Sequence, residues 1–460
     1  MNRIKSLFIL LFLLLNYITC AFPQDYIKVS STHPQYWEYK GETILLLGGS
    51  VEDNLFQINN LEKHLDLLQS VGGNYVRNTM ASRDEGNVWP FIQNEDGKYD
   101  LNQFNPEYWE RFENLLKLTY ERDIIVQIEV WATFDFYRDN WTVNPYNPIN
   151  NINYDVKHSK LDTLISTHPI YTENNFFRSV PSQMAIAPVL WYQQRFVDKL
   201  LSYSLNYGNV LYCMDNETSV TSDWGKFWAK YIQKKANEKG LTVYCTEMWD
   251  PWELSHPFHA ETFDNPEIFG FVDISQNNHK TGQEHWDNGL HQIERLKLID
   301  ALRPVTNIKI YGNDGGKHKT TRNAIEAFIQ NVFFGCSSAR FHRPTSGQGL
   351  NENAQAVIKT IRELSMKMDF LNAAPHNDLL QNREPNEAYC RAIPDKEYAI
   401  YFTDGGEVSL KTELENANIE WVNVLDNEWH EPQTKSFSGN KTITCPGEGH
   451  WIVLISEISN

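Results

Sequence analysis

Polar residues close a series of short apolar runs along this sequence, and carboxylates are the commonest kind among them. The run ends carry Glu52 and Asp53, Arg77 and Asn78, Glu129, Asp215 to Glu217, Glu247, Asp273 to His279, Asn313 with Asp314, and His342 with Arg343. Two carboxyl groups facing a common cleft can split a glycosidic bond. One, kept protonated, gives its proton to the leaving oxygen, while the other attacks the anomeric carbon or activates water. Competing chemistries lack their groups: there is no His/Cys cluster at metal-ligand spacing, no Gly-rich phosphate loop and no serine elbow. Neither a metal nor a cofactor is called for.

The sharpest of these ends is YCMDNETS, Tyr212 to Ser219. Glu217 is expected to be the proton donor, its pKa raised by partial burial and a neighbouring carboxylate. Asp314, the only acid in KIYGNDGG, is expected to be the second catalytic carboxylate, with Glu247 as the reserve. Candidate substrate contacts are Arg77, Glu129, Trp131, Asn216, Glu247, Trp249, His279, Tyr311, His342 and Arg343. Trp131, Trp249 and Trp252 follow apolar runs and could stack on sugar faces.

These residues need a scaffold that gathers strand ends. From Thr43 to about Met368 the chain alternates apolar runs with segments of helical period, the signature of parallel βα units. TILLLGG, NYVRNTM, IIVQIEVW, NVLYCMDNE, LTVYCTEMW, GFVDIS, NIKIYG and SARFH read as eight strands. The spacing predicts an α/β fold, a (β/α)8 barrel over 22–375, whose active site collects at the C-terminal strand ends. The segment 132–188 is long for a connection and rich in Asn, Tyr and Trp, which suggests an ordered wall of the cleft. Beyond it, EYAIYFTDGGEVSLKT, IEWVNVLDNEW and HWIVLIS alternate around turn residues and predict a small all-β sandwich over 376–460.

The 460-residue chain carries a formal charge of −18, which disfavours nucleic acid and anionic membranes as partners. Residues 1–21 read as an export signal, a charged start followed by SLFILLFLLL, with lipid attachment at Cys20 as the alternative to soluble export. Secretion or a periplasmic location follows, with no later run long enough to span a bilayer. Cys213, Cys245, Cys336, Cys390 and Cys445 are odd in number without close pairs, so they make no disulfide framework.

Asn216-Glu217 at the end of the fourth strand resembles the Asn-Glu pair of the clan A glycoside hydrolases. That resemblance implies a general acid/base role for Glu217, a 2-hydroxyl contact for Asn216, an active-site arginine at Arg77 and a substrate contact at His279. The clan also carries a nucleophilic Glu on strand seven, which this sequence lacks. YKGETILLLGGSVEDNLF with GGNYVRNTM resembles the opening of the apiosidase-like barrel family, and AYCRAIPDKEYAIYFTDGGEVSL with CPGEGHWIVLIS is similar to its closing collagen-binding-type sandwich. The implied function is hydrolysis of a plant or algal polysaccharide or a derived oligosaccharide. The missing strand-seven Glu leaves a non-catalytic glycan-binding barrel as the alternative. His279, Lys280, Lys317, His318, Lys319, His342 and Arg343 concentrate positive charge late in the barrel, which suggests an anionic glycan, sulfated or uronic.

Overall fold

The structure, a computed structural model, describes residues 25–167, 173–437 and 441–458; the expected export signal and Cys20 lie outside the described residues. Eight parallel strands form one sheet: β1 (Leu46–Gly49), β2 (Tyr75–Thr79), β3 (Ile125–Ala132), β4 (Val210–Asn216), β5 (Cys245–Thr246), β6 (Val272–Asp273), β7 (Val305–Ile310) and β8 (Ser338–Phe341). Their order is β5-β4-β3-β2-β1-β8-β7-β6, so the first and last strands lie side by side, Ser338 against Leu46 and Phe341 against Gly49.

A helix follows each strand, as a parallel sheet buried on both faces requires. They are α1 (Leu61–Ser70), α2 (Pro106–Glu121), α3 (Ala187–Ser204), α4 (Ser222–Asn237), α5 (Pro257–Phe263), α6 (Gly282–Leu298), α7 (Thr321–Phe334) and α8 (Glu352–Lys367). This is the (β/α)8 barrel that the alternation of periods predicts. Helix α2 shows the local logic: the Asn105 side chain accepts from the Glu107 N–H, Pro106 opens the first turn, and Phe112, Leu115, Leu116 and Thr119 face the core.

Strands β5 and β6 are shorter than their apolar runs suggest, two residues each, and no ladder joins them among the described residues. Their feet meet on Trp37, whose ring lies 5.4 Å from Tyr244 and 5.3 Å from Phe271, edge to face. Gly270 permits this approach, since a Cβ there would stand 2.6 Å from the Tyr244 ring. Trp37 comes from a three-stranded antiparallel sheet, Lys28–Val29, Trp37–Tyr39 and Glu42–Ile44. With Leu46, Tyr75, Ile125, Leu211 and Ile308 it fills one end of the barrel with apolar side chains, leaving polar ones to the other.

The segment after β3 is ordered by its aromatic and asparagine residues. Phe136 stacks on Phe176 at 4.1 Å, and Trp141 is fully buried. Such a loop must still satisfy its carbonyls. Asn144 donates to Asp135 O at 2.9 Å, Asn147 to Trp141 O at 2.9 Å and Asn151 to Pro145 O at 3.0 Å, which accounts for its Asn-rich composition.

The closing segment is all β. One sheet runs β9 (Ala374–Pro375), β11 (Ala388–Ile393), β12 (Glu397–Phe402), β18 (Trp451–Glu457), β14 (Asn416–Asn423) and β15 (Glu428–Trp429), with β16 (Gln433–Ser436) also on β14. A second sheet holds β10 (Leu380–Gln381), β13 (Glu407–Leu410) and β17 (Thr442–Thr444). Cys390, Ile400, Phe402, Val453 and Ile455 share a core with Val408, Leu410 and Ile443 between the sheets. The larger sheet's other face rests on the barrel: Tyr389 stacks on Trp286 of α6 at 4.5 Å, and buried Arg391 donates to Phe333 O of α7 at 3.1 Å.

Candidate active site

At the polar end of the barrel a cleft of about 550 Å³ opens over β4, β5 and β7, a size suited to one or a few sugar rings. Glu217 directly follows β4 and is nearly buried, in left-handed backbone at φ 55°. Bulky residues hold this conformation only where surrounding structure enforces it. Here Thr218 N–H donates to Met248 O and Asp250 N–H donates to Thr218 O, each at 2.9 Å, so the β4–β5 pairing extends past both strands. That pairing brings Glu217 and Asp250 into one cleft, on chain segments spaced like neighbouring strands, roughly 5 Å apart.

Lys309 on β7 decides the charge of Glu217. Its ammonium lies 2.5 Å from Glu217 Oε1 and 3.3 Å from Asn216 Oδ1, and the Tyr311 hydroxyl donates to Glu217 Oε1 at 3.2 Å. Burial alone would raise the Glu217 pKa, but the Lys309 charge and hydrogen bond, helped by Arg77 and Tyr311, hold it below the usual glutamate value. The expected elevation is therefore corrected: a buried carboxylate touching an ammonium stays ionised. Asp250 shows the opposite displacement. Burial, reinforced by the Glu217 charge, pushes it up to about 7, and its Oδ2 is buried without a hydrogen-bond partner.

Two other acids that close strand runs, Glu129 and Glu247, are buried outside the cleft lining. Glu129 accepts from Arg77 Nε at 2.6 Å and from Thr79 Oγ1 at 2.6 Å, while Arg77 also donates to Asp53 at 2.8 Å. Arg77 and Glu129 are fully buried and lie outside the cleft lining. Glu247 is also outside it: Oε1 accepts from Asp215 N at 2.9 Å and Met248 N at 3.2 Å, clamping the strand ends that carry Glu217 and Asp250. Its Oε2 fits against Gly225 of α4, where a Cβ would come within 2.0 Å. Burial and the charge of Asp215 push Glu247 well above the carboxylate range, so it serves as a neutral acceptor. Glu247→Gln, which keeps that acceptor, is expected to retain the fold and turnover within about tenfold. Glu247→Ala strands two buried N–H groups and should cost about 2–5 kcal/mol, read by urea denaturation. A dead but folded Glu247→Gln would instead make Glu247 a catalytic acid.

The aromatic candidates divide by burial. Trp131 packs 5.3 Å from Phe176 and 5.5 Å from Trp228, and Trp249 donates to Thr262 Oγ1 at 2.8 Å; both are buried core residues, not sugar platforms. Trp252, 54% exposed, lies flat on His279 at 4.0 Å and lines the cleft with it. Burial lowers the His279 pKa to about 4, giving a neutral ring. Tyr311, His342 and Arg343 line the cleft as well, His342 neutral through burial and Arg343 paired with Glu52 at 3.1 Å. Phe134 and Asn140 bring the loop after β3 to the cleft wall.

Asp314 does not join the site. Its carboxylate is exposed and accepts from Thr321 N at 2.8 Å and Thr321 Oγ1 at 2.5 Å, tying the loop to the start of α7. A short acid seven residues before a helix start finds unsatisfied N–H groups close by, and that local demand outweighs the cleft. Two residues of the site escape the sequence pattern. Lys309 hides inside an apolar run, although a charge in a buried strand demands an opposite partner. Asp250 stands three places beyond Glu247, past the point where the strand pattern ends.

No family model matches the chain, and no curated protein matches it in sequence. Solved structures do resemble it. A structure described as a glycoside hydrolase superposes with TM-score 0.65 at 12% identity, covering 96% of this chain and 99% of its own. A family 5 glycoside hydrolase from Bacteroides vulgatus gives TM-score 0.63 at 11% identity, covering 96% of this chain and 95% of its own. A family 5 mannosidase from Rhizomucor miehei gives TM-score 0.51 at 13% identity, covering 74% of this chain and 98% of its own. At these identities the likeness is one of fold, which extends in the first two over barrel and sandwich together.

Proposed function

We propose that the protein is a glycoside hydrolase in which Glu217 and Asp250 are the catalytic carboxylates. The observation that carries this reading is their opposite displacement within one cleft: Glu217 kept ionised by Lys309, Asp250 shifted towards its protonated form by burial and by the charge of Glu217. Environments that push two acids apart assign the acid and base of a hydrolytic pair. Asp250 protonates the glycosidic oxygen, and ionised Glu217 acts on the anomeric carbon, directly or through a water. Trp252 and His279 offer a flat face for a sugar, and Asn216 a polar contact beside it.

The likeness in fold to enzymes described as glycoside hydrolases supports this reading. The resemblance of the opening and closing segments to those of the apiosidase-like barrel family and its collagen-binding-type sandwich favours a plant or algal polysaccharide or a fragment of one. One observation favours the binding-only alternative: β7 and the residue after it present Lys309 and Tyr311 to the cleft where the resembling clan carries its second Glu. The two readings part on a panel of neutral and charged polysaccharides incubated with purified protein. New reducing ends that vanish in the double variant Glu217→Gln/Asp250→Asn support hydrolysis. Saturable binding without new reducing ends overturns it.

A further inference from the structure

The cleft gathers five cationic side chains, Arg83, Lys309, Lys317, Lys319 and Arg343, against three acids, Asp53, Glu217 and Asp250. Three of the cations are matched. Lys309 pairs with Glu217 at 2.5 Å, Arg343 with Glu52 at 3.1 Å and Arg83 with Asp135 at 2.7 Å. Lys280, one of the basic residues of this part of the sequence, turns instead to Glu253 and Glu284, each at 3.0 Å. Lys317 and Lys319 form no ion pair among the described residues, yet both line the cleft.

The loop that carries them is built, not slack. Asp314 N–H donates to Lys319 O at 3.1 Å, His318 N–H donates to Gly315 O at 3.1 Å, and the Asp314 carboxylate fixes the loop to Thr321. The backbone at Lys319 has φ 68° and ψ −175°, a region that side chains other than glycine's avoid. The His318 ring stands 5.4 Å from Tyr311, which itself touches Glu217. The charges also reach the site. Burial chiefly keeps His279 neutral, and Lys319, Lys309 and Lys317 act in the same direction against the opposing Glu217.

We infer that Lys317 and Lys319 receive an anionic substituent of the glycan, a sulfate ester or a uronate carboxylate, placed next to the sugar that Glu217 and Asp250 act on. Two unmatched ammonium groups on a braced loop are a receptor for an anion. The inference rests on reading the cleft as a glycan site, and it does not require turnover. It is tested by calorimetric binding to the otherwise intact Glu217→Gln protein, with matched ligands: a sulfated galactan against its desulfated form, and a polyuronate against its carboxyl-reduced form.

At least one charged glycan should bind about tenfold more tightly than its neutral partner for each lysine engaged. The preference should shrink as sodium chloride rises from about 0.05 to 0.5 M. Adding Lys317→Ala and Lys319→Ala should abolish most of it, and Lys317→Glu with Lys319→Glu should reverse it. The sulfate and carboxylate arms tell the two sources apart. Equal binding of charged and neutral forms, no binding of either charged glycan, or a preference untouched by the lysine variants overturns the inference. Charge-dependent binding in a wild-type protein that produces no reducing ends would leave it standing and remove the hydrolase reading.

Discussion

Glu217→Gln is expected to lower turnover of an unactivated glycan by about 10⁴-fold or more, the range for losing a group that both approaches the reacting carbon and carries its charge. The fold should survive at a cost in stability, because glutamine still offers an oxygen to Lys309 Nζ and to the Tyr311 hydroxyl while the buried ammonium loses its opposite charge. Glu217→Ala with added azide then reads the role. If Glu217 is a nucleophile, azide takes its place on the open face and yields a glycosyl azide of inverted configuration. If Glu217 is the acid, as the Asn-Glu resemblance alone implies, the covalent intermediate still forms and azide traps it with net retention. The Lys309 contact favours the first outcome, since an acid must be protonated at the moment of reaction and an ammonium at 2.5 Å opposes that. Near wild-type turnover in Glu217→Gln would sink the assignment of Glu217 altogether.

The barrel is legible in the sequence because its signal is repeated eight times, so errors at single strands do not accumulate. LTVYCTEMW and GFVDIS read as full strands but form only two-residue ladders, a difference that apolar content does not encode. Glu217 is legible because it directly follows a long fully buried run, Val210–Asn216, where a side chain has few places to go except the cleft. Asp314 misleads because position in a loop does not say which way a short acid turns. It finds the N–H and the hydroxyl of Thr321 at the start of α7. The tryptophans show the same limit: Trp249 and Trp252 are three residues apart, yet one is 2% and the other 54% exposed. What sequence periodicity conveys is which element a residue belongs to. Pairings such as Glu217 with Lys309, 92 positions apart in the chain, depend on closure of the barrel.

Activity is expected to fall on the alkaline side of about pH 7, through the ionisation of Asp250. The sign follows from its role. A general acid works only while protonated, so each pH unit above that pKa should remove about nine-tenths of the competent protein. Burial is the larger cause of the elevation and the Glu217 charge the second, so the limb should move down in pH when that charge is removed. On the acid side Glu217, held below the ordinary glutamate value, should stay ionised and leave a broad working range. Asp250→Asn keeps the size and neutrality of the protonated side chain but has no proton to transfer. Turnover of substrates with poor leaving groups should drop by about 10²–10⁴-fold, and that of aryl glycosides whose leaving groups need no protonation should suffer far less. The alkaline limb should disappear from whatever activity remains. If Asp250→Asn keeps the same limb near pH 7, the titrating group lies elsewhere, with Asp215 and Asp273, both pushed up to about 7 chiefly by burial, as the groups to examine next.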